Sequence, residues 1–231
     1  MNSINKTARM AGLFYLIYII ASIIADLFGN FVFADASATV NHIIAHESQF
    51  RIGVVISMFS QVLFILAAWY LYNLLKPVNK NIALLFLLFN LGGFAILVYS
   101  HLNLISSLTL LSGVDYLKVF QPDQLQAQAT LFINLYKTGS TIAQIPFGVW
   151  LLPLGYLVFK SGFLPKILGI FLIIDCFGLF IYVCQRFLLP DYTIIAYPCW
   201  VMGFIAEVSL TLWLLIKGVK VHKPALAEVQ K

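Results

Sequence analysis

The sequence predicts an all-α, polytopic integral membrane protein: a bundle of six transmembrane helices with two short amphipathic segments in its outer loops. Of the 231 residues, 61% are apolar and 10% are charged, whereas about 25% of the residues of a soluble domain are charged. The apolar residues form runs long enough to cross a bilayer, which takes about 20 residues per helix. The basic residues are spread over alternate connectors and form no stripe, so nucleic acid is not an expected partner.

The six predicted spans follow one another along the whole chain, which is expected to be a single membrane domain over residues 1–231. The spans cover residues 10–33, 52–75, 81–111, 132–159, 167–189 and 194–216. Three connectors between them contain a helix-breaking proline, namely Pro77, Pro165 and Pro190.

The first apolar run has a second interpretation as a cleavable signal peptide. Lys6 and Arg9 precede it, and residues 34–36 resemble a cleavage site. We favour a membrane span, because the run is longer than the apolar region of a signal peptide. Bulky Phe31 and Phe33 also lie where a short polar approach to the cleavage site is usual.

Two outer loops, at residues 36–50 and 114–131, contain apolar residues at helical spacing. These residues are Val40, Ile43 and Ile44 in the first loop, and Leu125, Ala129 and the adjoining Phe132 in the second. We expect both segments to lie on the outer membrane surface or to extend the neighbouring helices.

The distribution of basic residues predicts the orientation in the cell membrane. Basic loops resist translocation, so Lys and Arg collect on the cytoplasmic side. Ten of the 14 basic residues lie on the side of the N-terminus. The other four are Arg51, Lys118, Lys137 and Arg186. Both termini are therefore expected in the cytoplasm.

Three polar residues lie near the middle of predicted spans. At 1.5 Å per residue, Asn90 and Glu207 are each about 15 Å from the nearest basic end of their spans, and Asp175 is about 14 Å from Lys166. A carboxylate at this depth costs about 2.5–3.5 kcal/mol on insertion scales, so both acids are expected to face inward. They either form a ligand or ion site, with Asn90 as hydrogen-bonding partner, or hold the helices together by hydrogen bonds.

A second polar group is predicted at the outer end of the bundle. Asp26 is expected to form an ion pair with Arg51 or Arg186. His42 and His46 are four residues apart, which places both on one helix face within reach of one metal ion. His101 is the candidate third ligand. A solvated interfacial helix is the simpler interpretation, because two histidines do not complete a metal site.

Motifs of soluble enzymes are not found in the sequence. It contains no G-x-S-x-G, no P-loop, no dinucleotide-binding glycine motif and no C-x-x-C. The cysteines Cys176, Cys184 and Cys199 lie in apolar segments, where a thiol behaves as a small apolar group. No cofactor is therefore expected, although a disulfide between Cys184 and Cys199 stays open.

Several stretches resemble a family of bacterial multi-pass membrane proteins known as domain-of-unknown-function family 4386. The matching residues are 8–16 (ARMAGLFYL), 47–53 (ESQFRIG), 74–79 (LLKPVN), 161–169 (SGFLPKILG) and 207–218 (EVSLTLWLLIKG). The resemblance implies six spans in one domain and supplies no reaction.

Two positions depart from the pattern of the similar proteins. The similar proteins often carry an acidic residue where this chain has Ser57, and a histidine where this chain has Tyr136. If those groups perform the family's chemistry, the resemblance implies that this chain has lost or altered it. Arg51 and Glu207 match the pattern.

Three hypotheses for function remain at this point. The first is a non-enzymatic membrane protein that binds or transports a small ligand, lipid or ion through its inward polar residues. The second is a structural or accessory subunit that packs against another membrane protein or a second copy of itself. The third is a metal-dependent membrane enzyme with its site at the outer face, built on His42, His46, His101 and Glu47.

Overall fold

The structure is a computed structural model that describes residues 3–29 and 35–219. Its seven α-helices are α1 (Ser3–Gly29), α2 (Ala36–Ala45), α3 (Glu47–Leu75), α4 (Lys80–Leu111), α5 (Pro122–Lys160), α6 (Lys166–Leu188) and α7 (Ala196–Leu212). Short 3₁₀ turns cover Asp115–Leu117 and Thr193–Ile195, and a π-helical turn, Trp213–Lys217, continues α7. The described part of the chain contains no strand.

Six of these helices are long and apolar enough to cross a membrane, which confirms the predicted fold class. The candidate spans are Ile4–Gly29, Glu47–Leu75, Lys80–Leu111, Pro122–Lys160, Lys166–Leu188 and Thr193–Lys217. The predicted end of the first span, at residues 30–33, lies outside the described residues.

The fourth span differs most from its predicted bounds. It was expected to begin at residue 132, but α5 begins at Pro122. Helix α5 incorporates residues 122–131 because Gln121 and Gln124 form a reciprocal capping box at its first turn. The outer-loop segment of residues 36–50 instead splits into α2 and the start of α3, with the capping side chain of Asp35 accepting a hydrogen bond from Ala38 N at 2.7 Å.

The six long helices form a closed ring. Each packs against the next in the order α1, α3, α4, α5, α6, α7, and both α7 and its π-helical turn return to pack against α1. Helix α2 is the exception, because it lies against the ends of its neighbours and contacts α5 most extensively. Aromatic side chains fill the centre of the ring, where the Phe64 ring contacts Tyr15, Phe147 and Trp150.

Glycines allow the closest helix crossings. A Cβ atom at Gly155 of α5 would lie 2.7 Å from the backbone oxygen of Gly169 of α6. Helices in a bilayer gain most from such close contact of small residues, because lipid offers no hydrophobic drive to association. The ring is also closed by a hydrogen bond, in which Val219 N donates to the Asn5 side chain at 2.9 Å.

Consecutive spans alternate in direction, so the ring has two ends. We call the end with the start of α1, the connectors 76–79 and 161–165 and Lys217 the basic end, and the opposite end, where α2 lies, the α2 end. Large apolar side chains cover the outside of the ring between the two ends; they include Leu27, Phe59, Leu131, Phe177 and Phe204. This surface is suited to contact with lipid.

Candidate functional site

The structure brings two of the three predicted midplane residues together. Asp175 of α6 and Glu207 of α7 interact electrostatically across the contact between their helices. Asp175 is 1% exposed, and neither of its carboxyl oxygens has a hydrogen-bond partner among the described residues. Glu207 is partly buried. We call these two residues the acid pair.

The close approach of α7 to α6 leaves room for the Asp175 carboxyl only because residue 203 is glycine. A Cβ atom at Gly203 would lie 2.8 Å from Asp175 Oδ1, well inside van der Waals contact. Gly203 is four residues before Glu207 on α7, so both residues belong to the same face of that helix. The carboxyl of Asp175 is therefore packed against the α7 backbone, one turn from Glu207.

Two tyrosines of α1 complete the surroundings of the acid pair. Tyr15 is fully buried and interacts electrostatically with Glu207 and Asp175. Its hydroxyl lies close to Glu207 but has no hydrogen-bond partner among the described residues. Tyr18, one turn further along α1, also interacts with Glu207.

Asn90 is not part of this group. It is fully buried on α4, and neither its amide oxygen nor its amide nitrogen has a hydrogen-bond partner among the described residues. Helix α5 separates α4 from α6 in the ring. The predicted hydrogen bond between Asn90 and the acids has no counterpart in the structure.

A chain of polar side chains leads from the acid pair toward the α2 end. Tyr18 interacts with Ser22 through its hydroxyl. Ser22 Oγ donates to Ser60 Oγ at 3.3 Å, and Ser60 Oγ donates to the carbonyl oxygen of Ser57 at 2.7 Å. The Ser57 hydroxyl in turn bonds to His101 Nε2 at 2.7 Å. These groups connect α1, α3 and α4 through the inside of the ring.

His101 occupies the inside of the bundle, away from the role predicted for it. It is 1% exposed, its Nδ1 bonds to the Leu97 carbonyl oxygen at 2.8 Å, and its ring contacts Tyr136 edge-on at 5.4 Å between centroids. Both positions that depart from the pattern of similar proteins, Ser57 and Tyr136, therefore contact this one histidine.

The predicted three-histidine metal site is not formed by the described residues. The rings of His42 and His46 do lie close, with 5.2 Å between centroids, and His42 Nε2 bonds to the Phe28 carbonyl oxygen at 2.9 Å. In the described ranges, however, no three His, Cys, Asp or Glu side chains are grouped to hold a metal ion. The third ligand is missing because His101 is held inside the bundle by Ser57 and its own helix.

The predicted ion pairs at the outer end are also arranged differently. Arg51 pairs with Glu47, one turn earlier on α3, with 2.7 Å between Nη2 and Oε1. Asp26 interacts electrostatically with Lys137 and Tyr136 of α5. The i, i+4 pair forms because both side chains lie on one exposed face of α3, where little desolvation opposes it.

A polar cavity of about 600 Å³ opens at the α2 end, between α2, α5, α6 and α7. Two cations, Lys137 and Arg186, line it together with Gln185 and the aromatic residues Tyr182 and Trp200. Gln185 is 2% exposed, and its amide donates to the Leu189 carbonyl oxygen at 3.0 Å while its side-chain oxygen has no partner among the described residues. The volume lies within the range of about 300–1,000 Å³ usual for small-ligand sites.

Sequence reasoning missed several residues of these two sites. Lys137 lies inside the predicted fourth span and was counted only as a topology marker, although a charge within an apolar run is itself a signal of function. Tyr15 and Tyr18 have helical spacing but resemble ordinary apolar residues. Gly203 carries no signal in the sequence, because its importance is the approach of Asp175.

The cysteines are all free thiols in the structure, so the Cys184–Cys199 disulfide left open by the sequence is not formed. Cys176 and Cys199 are buried, and Cys184 is exposed on the surface of α6. The burial of Cys199 on α7 and the exposure of Cys184 place the two thiols in different surroundings.

Six long apolar helices closed into a ring, with an acid pair inside and apolar side chains outside, define a multi-pass membrane protein. The chain belongs to the family described as "Domain of unknown function (DUF4386)", whose model matches residues 10–218. An uncharacterised protein of Archaeoglobus fulgidus is 33% identical to it over 153 residues, which cover 66% of this chain and 75% of that protein. No solved structure matches the chain significantly. The family resemblance noted in the sequence is thus confirmed.

Proposed function

We propose that the protein binds a proton or another small cation at the acid pair, and that this binding serves transport of an ion or solute through the bundle. The observation that carries the proposal is the Asp175 carboxyl group. It is 1% exposed and lacks a hydrogen-bond partner for either oxygen among the described residues. A buried carboxyl without such partners requires a proton or a bound cation to offset its charge.

The competing interpretation, in which the acids only hold helices together, accounts poorly for this geometry. Polar residues join transmembrane helices through hydrogen bonds between them. Asp175 makes none in the described part of the chain, and its partner across the helix contact is a second carboxyl group, Glu207. Two neighbouring carboxylates repel each other, so they favour protonation of one of them or a bound cation.

A transported cation also needs a route from the membrane surface to the acid pair. The polar side chains from Tyr18 to His101 lie between the acid pair and the α2 end, on the inside of the ring. Chains of polar and ionisable groups inside a bundle are typical of ion and proton pathways. This arrangement supports access from the α2 end.

The test is proton flux into vesicles that contain the purified protein. We expect an imposed membrane potential to acidify or alkalise the interior of wild-type vesicles faster than that of empty ones, as reported by an enclosed pH-sensitive dye. Asp175→Asn and Glu207→Gln should each reduce this rate to the level of empty vesicles. Asp191→Asn is the matched control, because it removes an exposed carboxylate from the connector after α6.

Sodium or potassium gradients in the same vesicles extend the test to other cations. Flux that depends on both acids for any of these ions supports the proposal and names the ion. Equal rates in wild type, both acid variants and empty vesicles, for all ions, would eliminate transport through the acid pair.

The charge bias supports one orientation in the membrane. We infer that the protein lies in the cell membrane and that the basic end of the ring faces the cytoplasm, since ten of the 14 basic residues lie at that end. A C-terminal fluorescent-protein fusion should then fluoresce in bacterial cells, and a C-terminal alkaline-phosphatase fusion should be inactive. The reverse pattern would place the C-terminus outside.

A further inference from the structure

A shallow apolar groove lies beside the polar cavity of the α2 end, on the outside of the bundle. The groove follows one face of the last span, with Ile194, Pro198, Val201 and Ile205 among its lining residues. Tyr197 lines both the cavity and the groove, so the two are adjacent at this side chain. The groove faces the side of the ring where lipid is expected.

The dimensions of this combined site match those of one lipid leaflet. Arg186 is eleven residues beyond Asp175 on α6, which places the cavity about 16 Å from the acid pair and close to the interface. From Ile194 to Ile205 the groove runs for about the same distance, which is half of a hydrocarbon core of about 30 Å. Tyr182, Tyr197 and Trp200 at the junction are residue types enriched at this depth.

Arg186 gives the cavity a cation that can bind an anion. Two cations, Lys137 and Arg186, line it against one carboxylate, Asp35. Lys137 interacts with Asp35 and with Asp26. Among the described residues, no salt bridge or hydrogen bond engages the guanidinium of Arg186. The buried side-chain oxygen of Gln185 adds an unused acceptor for a hydroxyl donor.

We propose that this cavity and groove together bind one anionic phospholipid. Its phosphodiester headgroup pairs with Arg186 and Lys137, a headgroup hydroxyl donates to Gln185, and one acyl chain lies along the α7 groove. Basic pockets between transmembrane helices can bind anionic headgroups, and this one lies at the end of the ring that the charge bias places away from the cytoplasm. The site is separate from the acid pair, so its test does not depend on the outcome of the flux experiments.

The test is native mass spectrometry of the protein released from bilayers of mixed phosphatidylglycerol and phosphatidylcholine. Wild type should retain one phosphatidylglycerol in preference to phosphatidylcholine. Each basic residue near a membrane surface contributes about 1 kcal/mol of attraction, which corresponds to about fivefold in affinity. Arg186→Gln should therefore weaken this preference about fivefold, and the Lys137→Gln/Arg186→Gln double variant about thirtyfold. Lys118→Gln is the control, because Lys118 is an exposed cation at the same end outside the cavity.

A second pair of variants tests the groove. Val201→Trp fills it with an apolar side chain and should reduce retention of the lipid, whereas Ile181→Trp on the exposed face of α6 should not. Thermal unfolding of each variant in detergent checks that it is folded. If glycerol 3-phosphate displaces phosphatidylglycerol and Val201→Trp does not change retention of the lipid, the cavity is a site for a free anion instead.

Either of two further outcomes also overturns the proposal. One is retention of both phospholipids without preference, as expected for lipid that merely surrounds the bundle. The other is an equal loss of phosphatidylglycerol in the Lys118 control and in the cavity variants, which would mean that general surface charge alone attracts the lipid.

Discussion

Asp175→Leu is the substitution that separates a functional carboxyl from a structural one. Leucine branches at the same atom as aspartate, so the change replaces two oxygens by two larger methyl groups and leaves no cavity, at some packing cost against Gly203. Both oxygens lack hydrogen-bond partners among the described residues, and a buried polar group left unsatisfied costs about 1–3 kcal/mol. The change also removes the repulsion from Glu207. We therefore expect the free energy of unfolding to rise, by at most about 3 kcal/mol, because the packing cost opposes this gain.

The measurement is equilibrium unfolding in mixed micelles titrated with sodium dodecyl sulfate, followed by circular dichroism. Leu172→Ala calibrates the assay, because Leu172 is fully buried one turn earlier on α6 and its truncation should cost about 2–5 kcal/mol. A loss of more than about 3 kcal/mol for Asp175→Leu, which exceeds the usual cost of overpacking, would refute the reasoning. It would mean that the carboxyl has a stabilising partner, and that the acid pair holds the helices together.

Two further predictions concern helix packing and the buried histidine. Gly155→Ala should lower the free energy of unfolding by about 1–3 kcal/mol, because its Cβ would lie 2.7 Å from a backbone oxygen of α6; Gly92→Ala, whose Cβ has no neighbour nearer than 3.8 Å, should be neutral or slightly stabilising in the same titration. Ser57→Ala should cost about 1–3 kcal/mol, since it leaves His101 Nε2 without its 2.7 Å bond in a buried position. Ser106→Ala, which removes only a hydroxyl bonded within its own helix, should change stability by less than about 0.5 kcal/mol. Similar losses in each variant and its control would contradict these two assignments.

The cavity and the acid pair differ in how far the sequence could predict them. Asp175 and Glu207 could be identified because a carboxylate in an apolar run is costly wherever its helix packs, so composition and depth suffice. That the two acids meet, and that Asn90 does not join them, depends on the order of helices around the ring. The cavity depends on four helices, and no local pattern relates Lys137 to Arg186, which are 49 positions apart in the sequence.

The sequence by itself determined the class of protein, the number of spans and the family. These follow from hydrophobic transfer into the bilayer, which acts on each segment separately and needs no knowledge of its neighbours. Only the tertiary structure decided which polar side chains share a site. It placed His101 with Ser57 instead of with His42, and it paired Arg51 with Glu47. The physical reason is that lipid is as apolar as the helix surfaces, so the hydrophobic effect does not select which helix faces meet. Packing of small residues and hydrogen bonds between helices select them instead.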